Sequence, residues 1–325
     1  MKLYRGHHEI HENYPKPVLT IGNFDGLHLG HRKIIESVIG RARVEGGTSI
    51  IYTFRPHPHI ALSPGSALQL LNTYDEKLEM IEAMGVDVAI EEPFSREFST
   101  IAPEKFLRDI LLKRLSALAV YVGYDFAFGK DRAGSLELLK GFCGEEGVEC
   151  NVLAPLKIGG EICSSTSIRE HVLAGRIREA NALLGREFFY RGLVVRGQGR
   201  GKKIGFATAN VHTESLLSVK EGVYATWATV RGSDDGKTYA SVTSVGRQPT
   251  FNKDEQVPVV METHILDFDR DIYGETLEVR MVTWLRDEVR FASVDQLVRQ
   301  IGADVAKARE ILRNNIKGAD LLFVV

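Results

Sequence analysis

The sequence predicts an α/β chain of two domains, a doubly wound parallel sheet followed by an antiparallel β-barrel with a terminal helix. Three observations carry this. The 325 residues exceed the ~250–300 at which a single hydrophobic core stops growing. Short apolar runs alternate with amphipathic segments through residue 154, the pattern of a parallel sheet. From Phe188 the chain turns to segments rich in Val, Thr, Tyr and Trp, the composition of antiparallel strands.

The apolar runs 18–21, 49–54, 86–90, 118–122 and 148–153 are short and bounded by Gly, Pro or charged residues, as strands buried on both faces are. After Gly30, residues Ile34, Ile35, Val38, Ile39 and Ala42 fall on one helical face. Phe106, Leu107, Ile110 and Leu111 repeat the pattern after Pro103, a residue suited to a first helical turn. Two short helices are expected at 166–174 and 177–184, and the domain boundary at 184–185. The domains are then 1–184 and 185–325. Beyond the boundary, strands are expected at 222–230, 237–245, 257–268 and 276–284, with turns at 233–236 and 269–274. Ser293 and Gln296 fit a capping box for the last helix, whose face carries Val294, Leu297, Val298, Ile301, Val305 and Ala308.

Hydrophobic residues make up 44% and charged residues 26%, the balance of a folded globular protein rather than a disordered one. Lys and Arg number 41 against 43 Asp and Glu, so the basic excess of a nucleic-acid binder is missing. No apolar run approaches ~18 residues, which predicts no membrane span. The N-terminal stretch has no apolar signal core. Cys143, Cys150 and Cys163 form no CxxC pair, which argues against disulfides and structural zinc and predicts a reducing cytoplasm.

The most informative stretch is GNFDGLHLGH, residues 22–31, placed where the first apolar run passes into the first helix. Gly22, Gly26 and Gly30 let backbone approach a ligand closely. A helix N-terminus offers unpaired N–H groups and partial positive charge, which suits phosphates. His28 and His31 are three apart and share a face, where two imidazoles could meet charge building on phosphate oxygens. Capping or packing is the competing role for two histidines alone. SSTSIRE, residues 164–170, sets hydroxyls and an Arg at another helix start. VGYDFAFGKDRAGS (122–135) and FRPHP (54–58) both follow strands, so both lie on the sheet edge where doubly wound folds bind ligands.

In the second half, residues 197–205 form a glycine-rich basic loop able to wrap phosphates with backbone N–H groups. It is not a P-loop, because no GxxxxGK[ST] occurs. Thr208 and Asn210 follow, two apart on an extended chain, so their oxygens can face one way and bind a hard cation; a solvated turn is the competing role for these residues alone.

Taken together, GNFDGLHLGH, FRPHP, VGYDFAFGKDRAGS and SSTSIRE resemble the bifunctional riboflavin kinase/FAD synthetases of bacteria, in the same order and spacing, over roughly 17–313. The resemblance implies an N-terminal nucleotidylyltransferase-type domain converting FMN and ATP to FAD and pyrophosphate. It also implies a C-terminal kinase converting riboflavin and ATP to FMN and ADP. Its HxGH occurs across the wider nucleotidylyltransferase superfamily, so the combination of motifs carries the assignment. It implies catalytic roles for His28 and His31, with nucleotide contacts from Gly22, Asn23, Phe24, Asp25, Gly26, Gly30, Ser165, Thr166 and Arg169. Flavin contacts fall to Phe54, Pro56, Asp125 and Phe128. GFATAN (205–210) is similar to the kinase motif GFPTAN, implying Mg²⁺ on ATP held by Thr208 and Asn210, with Gly197, Lys203 and Gly205 at the phosphates. Glu262 falls on the catalytic base, and Arg286 and Glu288 on a flavin-proximal segment. The chain departs from the family at Ser167, Ala207, Ser244 and Gln248. Those in the kinase half motivate an alternative, an FMN adenylyltransferase whose kinase half binds flavin but is impaired.

Overall fold

The computed structural model describes all residues except 64, 66–67, 198, 200, 202–203, 216, 233–235, 248–258 and 320–325, and not the side chains of 247, 259–260 and 315–319. The chain forms two compact units, Met1–Ser165 and Thr166–Val325.

In the first unit, strand β1 (Lys2–Tyr4) precedes β2 (Pro17–Ile21), helix α1 (Leu29–Glu45) and β3 (Thr48–Arg55). Then come α2 (Pro58–Leu62), α3 (Tyr74–Ala83), β4 (Val88–Pro93), α4 (Arg96–Ser99) and α5 (Pro103–Phe106), the last continuing as a wider helix through Leu107–Arg114. β5 (Ala119–Gly123), α6 (Leu136–Glu146), β6 (Glu149–Leu153) and the hairpin β7 (Lys157–Ile158) and β8 (Glu161–Ile162) complete it. All five expected strands form. β1 was not expected, since three residues carry no readable period; it pairs parallel to β4, Lys2 opposite Val88.

The six-stranded sheet has the order β1-β4-β3-β2-β5-β6, and every pair is parallel. β2 is wholly buried because its residues are covered on both sides. Ile35, Val38, Ile39 and Ala42 of α1 are buried as their spacing predicts, while Ile34 is only half-buried. Each fully buried aliphatic side chain of this kind contributes roughly 1.5–3 kcal/mol. The order matters for function. The chain runs outward from β2 to β3 and β4, then returns to β5 on the other side of β2. The crevice at that reversal, outside the carboxyl ends of β2 and β5, is where such sheets bind ligands. The 22–31 and 122–135 motifs both begin there.

The second unit opens with α7 (Ser165–Leu173) and α8 (Ile177–Leu184) and continues with β9 (Phe188–Val195), β10 (Ala209–Thr213), β11 (Gly222–Arg231), β12 (Thr238–Arg247), β13 (Val259–Ile265), β14 (Thr276–Arg286) and helix α9 (Val294–Ala319). The strands close into an antiparallel barrel of order β10-β13-β12-β11-β14-β9. Inside, the hydroxyls of Thr226, Ser241, Thr243 and Thr263 satisfy one another at 2.7–3.0 Å. Outside, α9 lays Ala308 and Leu312 on Val223, Ala225, Val242, Val282 and Leu285. The expected face of α9 shifts, because Val294 is 60% exposed and the buried seam begins further along. Gln296 N–H donates to Ser293 as a cap requires, but its side chain accepts from Ala292 N–H rather than closing a capping box on Ser293.

α8 is part of this unit through Asn181. Its side chain donates to the Met281 carbonyl of β14 and accepts from the Phe188 N–H of β9. The turn at 233–235, the start of the strand expected at 257 and the apolar tail 321–325 lie outside the described residues.

Candidate active sites

At the N-terminus of α1, His28 serves as the helix cap. Its Nδ1 accepts the N–H of His31 at 3.3 Å. With Nδ1 accepting, the ring proton of the neutral imidazole sits on Nε2 and is free to donate. His31 stacks on His28, with ring centroids 3.6 Å apart and planes 19° apart. Glycine at position 30 makes this packing feasible, since a Cβ there would lie 3.1 Å from the His28 ring. Burial pulls the pKa of His28 down to about 4 and that of His31 well below its usual 6.5; His28 and Lys77 add to the effect on His31. Both rings are therefore neutral near pH 7. His31 Nδ1 is buried with no hydrogen-bond partner among the described residues.

The turn before α1 is tied down from two distant segments. Asp25 Oδ1 accepts the Leu71 N–H at 2.8 Å, and the Asp25 carbonyl accepts the Ser165 hydroxyl at 2.8 Å. Cys163 Sγ lies 3.5 Å from His28 Nδ1. Ser165 is thus brought to the turn across 140 residues of sequence. Thr166 and Arg169 follow on α7, in the second compact unit. A small cavity beside the turn is lined by Asn23, Asp25, Gly26, Phe54, His57 and Lys77 among others. Phe54 sits in a half-buried aromatic group with Phe94 and Phe98, with centroids 5.4–6.1 Å apart.

In the barrel, Asn210 of β10 and Glu262 of β13 are direct cross-strand partners, and Ser244 of β12 faces Glu262 from the other side. Paired residues of an antiparallel ladder share a face. Thr208 directly precedes β10, two residues before Asn210. Gly197 packs so closely on Asn210 that a Cβ would sit 2.2 Å from its amide nitrogen. His264 Nδ1 donates to the Ala207 carbonyl at 2.7 Å, fixing the backbone beside Thr208. The Ser244 hydroxyl donates to Glu288 at 2.9 Å.

Two family models cover most of the chain: FAD synthetase over residues 10–167 and riboflavin kinase over 184–312. The bifunctional riboflavin kinase/FMN adenylyltransferase of Escherichia coli (strain K12) is 35% identical over 311 residues, spanning 95% of this chain and 97% of that one. The chain belongs to the bifunctional riboflavin kinase/FMN adenylyltransferase family. The Bacillus subtilis member is 31% identical over 95% of this chain and 96% of its own. A solved Streptococcus pneumoniae structure described as a macrolide-efflux protein matches with a TM-score of 0.84 at 30% identity, covering 94% of this chain and 98% of that one.

In this riboflavin kinase/FMN adenylyltransferase family member, the expected site residues divide clearly. His28, His31, Gly22, Asn23, Phe24, Asp25, Gly26, Gly30 and Ser165 gather at one helix end, with Phe54 nearby. Pro56 and Asp125 are exposed on loops after β3 and β5. Phe128 is 8% exposed and packs in the core on Phe106 and Phe126. Asn210, Glu262 and Gly197 come together, Thr208 directly precedes β10, and Gly205 has φ +85°. Arg286 is engaged by Asp304 of α9 through two nitrogens at 2.8–3.0 Å. Lys203 and Gln248 lie outside the described residues. Sequence reading missed Lys77, whose position in α3 looks like any surface lysine. The signal available was the Thr73–Glu76 capping box that starts that helix.

Proposed function

We propose that this bifunctional enzyme phosphorylates riboflavin to FMN in the barrel domain, residues 185–325, and adenylylates FMN to FAD in the N-terminal domain, 1–184. The observation that carries the second assignment is the stacked, neutral His28–His31 pair at the N-terminus of α1. There the FMN phosphate oxygen attacks the α-phosphorus of ATP, and the bond to pyrophosphate breaks. Charge growing on the phosphate oxygens meets the His28 Nε2–H and the first N–H groups of α1. Ser165, Thr166 and Arg169 are assigned to the phosphates, and Phe54, Pro56, Asp125 and Phe128 to the flavin side. Phe128 acts through packing, consistent with its burial.

In the barrel, the riboflavin 5′-hydroxyl attacks the γ-phosphorus and ADP leaves. Glu262 takes the hydroxyl proton, which requires only that the carboxylate reach it. The Thr208 hydroxyl and Asn210 amide oxygen would hold Mg²⁺, which supplies charge neutralisation on the ATP phosphates. The fit is chemical: hard neutral oxygens with a carboxylate directly opposite Asn210. Thr208 and Asn210 bring no charge of their own, so the nucleotide phosphates would supply the charge that a bound Mg²⁺ needs. Gly197, Lys203 and Gly205 are assigned to the nucleotide phosphates, and Arg286 and Glu288 to the flavin end, Arg286 acting through its anchored backbone. ATP as co-substrate and three free thiols favour a cytoplasmic setting.

The test is incubation of the pure protein with riboflavin, Mg²⁺ and ATP, followed by chromatographic separation of flavins. FMN followed by FAD is expected. Bound, unchanged riboflavin would rule the reading out.

A further inference from the structure

One lysine is buried beneath the proposed adenylyl-transfer site. Lys77 is 5% exposed, though it sits on a short surface helix. Its Nζ donates to Thr53 Oγ1 at 2.9 Å, to the Asn23 carbonyl at 3.4 Å and to the Phe54 carbonyl at 3.4 Å. The Thr53 hydroxyl in turn donates to the Asn23 carbonyl at 3.3 Å. Asn23 belongs to the turn before α1, and Phe54 is the last residue but one of β3. One ammonium group therefore ties the turn that follows β2 to the carboxyl end of β3. An ammonium has three protons and Lys77 has three acceptors, so none is left for substrate. α3 delivers it rigidly: Thr73 and Glu76 close a capping box, and the His57 N–H donates to Tyr74 OH at 2.8 Å.

We propose that Lys77 is a positioning residue for adenylyl transfer, holding the phosphate turn at Asn23 against the end of β3 at Thr53 and Phe54 so that both present their groups to one substrate pair. The inference rests on the assignment of adenylyl transfer to the His28–His31 site. The charge environment agrees with it. Burial brings the Lys77 ammonium down to about 8, Asp25 opposing this and Arg55 adding to it. Besides Asp25 and Arg55, the groups facing Lys77 are the Tyr74 ring, 5.4 Å away on its own helix, and His31 on α1. Tyr74, whose hydroxyl burial shifts upward, does not titrate near pH 8.

The test compares K77M and K77Q with wild type and H28A in the full-length protein, measuring both activities. A misplacement of about 1 Å can cost roughly 10²-fold, so FAD formation from FMN should lose about 10–100-fold in kcat. The KM values for FMN and ATP should move less than kcat, and riboflavin phosphorylation should be unchanged. A folded Lys77 variant with wild-type kcat, with only raised KM, or with both activities lost, overturns the proposal. Should neither variant fold, the wild-type pH profile decides. A fall in adenylyl-transfer kcat through about pH 8 with no such fall in kinase kcat supports the proposal; a flat profile overturns it. If H28A also keeps full adenylyl transfer, the site assignment itself fails; an inactive H28A beside a fully active K77M sinks only the role of Lys77.

Discussion

Asn210 and Glu262 face each other across the ladder between β10 and β13, so the amide assigned to the metal and the carboxylate assigned to the proton share one rung. The adjacency matters for mechanism. On the proposed assignment, the base stands beside the metal-holding group. Glu262→Gln keeps this geometry and removes the basicity. Riboflavin phosphorylation should fall by about 10²–10⁴-fold, while adenylylation of supplied FMN continues. Steady-state assays of both half-reactions check it, and a near-normal kinase rate would remove Glu262 from the mechanism.

Metal binding should depend on nucleotide. Thr208 and Asn210 supply neutral oxygens, so tight Mg²⁺ binding needs phosphate charge. Calorimetric titration should find weak Mg²⁺ binding without ADP and clearly tighter binding with it. Equal, tight binding in both conditions would contradict the site.

The histidine pair makes a prediction about pH. His28 is held neutral, with its pKa at about 4 instead of 6.5. Between those values the unfolded chain takes up a proton that the folded site refuses, so stability is lost as pH falls from about 6.5 toward 4. The size is up to about 3 kcal/mol from this group. Thermal melting of wild type and H28A across that range should show a shallower acid loss for the variant. Parallel curves would mean His28 is not the group responsible.

The helix α8 predicts where the chain can be cut. Ile177, Ala180, Leu183 and Leu184 are buried, and Asn181 bonds to both β9 and β14. A fragment 166–325 should therefore melt well above 186–325 and retain riboflavin kinase activity. Equal melting of the two kinase fragments would show that α8 adds nothing to the barrel.

Arg286 and Asp304 offer a stability test. The pair joins the last strand to α9 and is largely buried, with Asp304 6% exposed. Asp304→Ala leaves the guanidinium without its carboxylate and should cost about 3 kcal/mol. Denaturant unfolding of the variant measures it; a change below about 0.5 kcal/mol would place the pair among ordinary surface contacts.

Strands that are buried on both faces were readable because they form continuous apolar runs, and the switch-point site followed from what lies after the first of them. The barrel strands were readable from their composition. Other parts were hidden for physical reasons. β1 is too short to show a period. Lys77 is buried by a fold of backbone carbonyls that no side-chain pattern records. Phe128 reads as a ligand contact because it stands in a ligand-facing motif, yet it packs against Phe106 and Phe126. Arg286 reads as a flavin contact, but its partner Asp304 is 18 residues further on, on a helix whose packing register could not be foreseen.

The central claim is that two reactions proceed at two separate sets of residues in one chain. Full-length wild type, His31→Ala and Glu262→Gln incubated with riboflavin, Mg²⁺ and ATP, with flavins separated over time, test it most directly. Wild type should form FMN and then FAD. His31→Ala should stop at FMN, and Glu262→Gln should leave riboflavin unconverted yet turn added FMN into FAD. Loss of both activities in either variant would contradict the account.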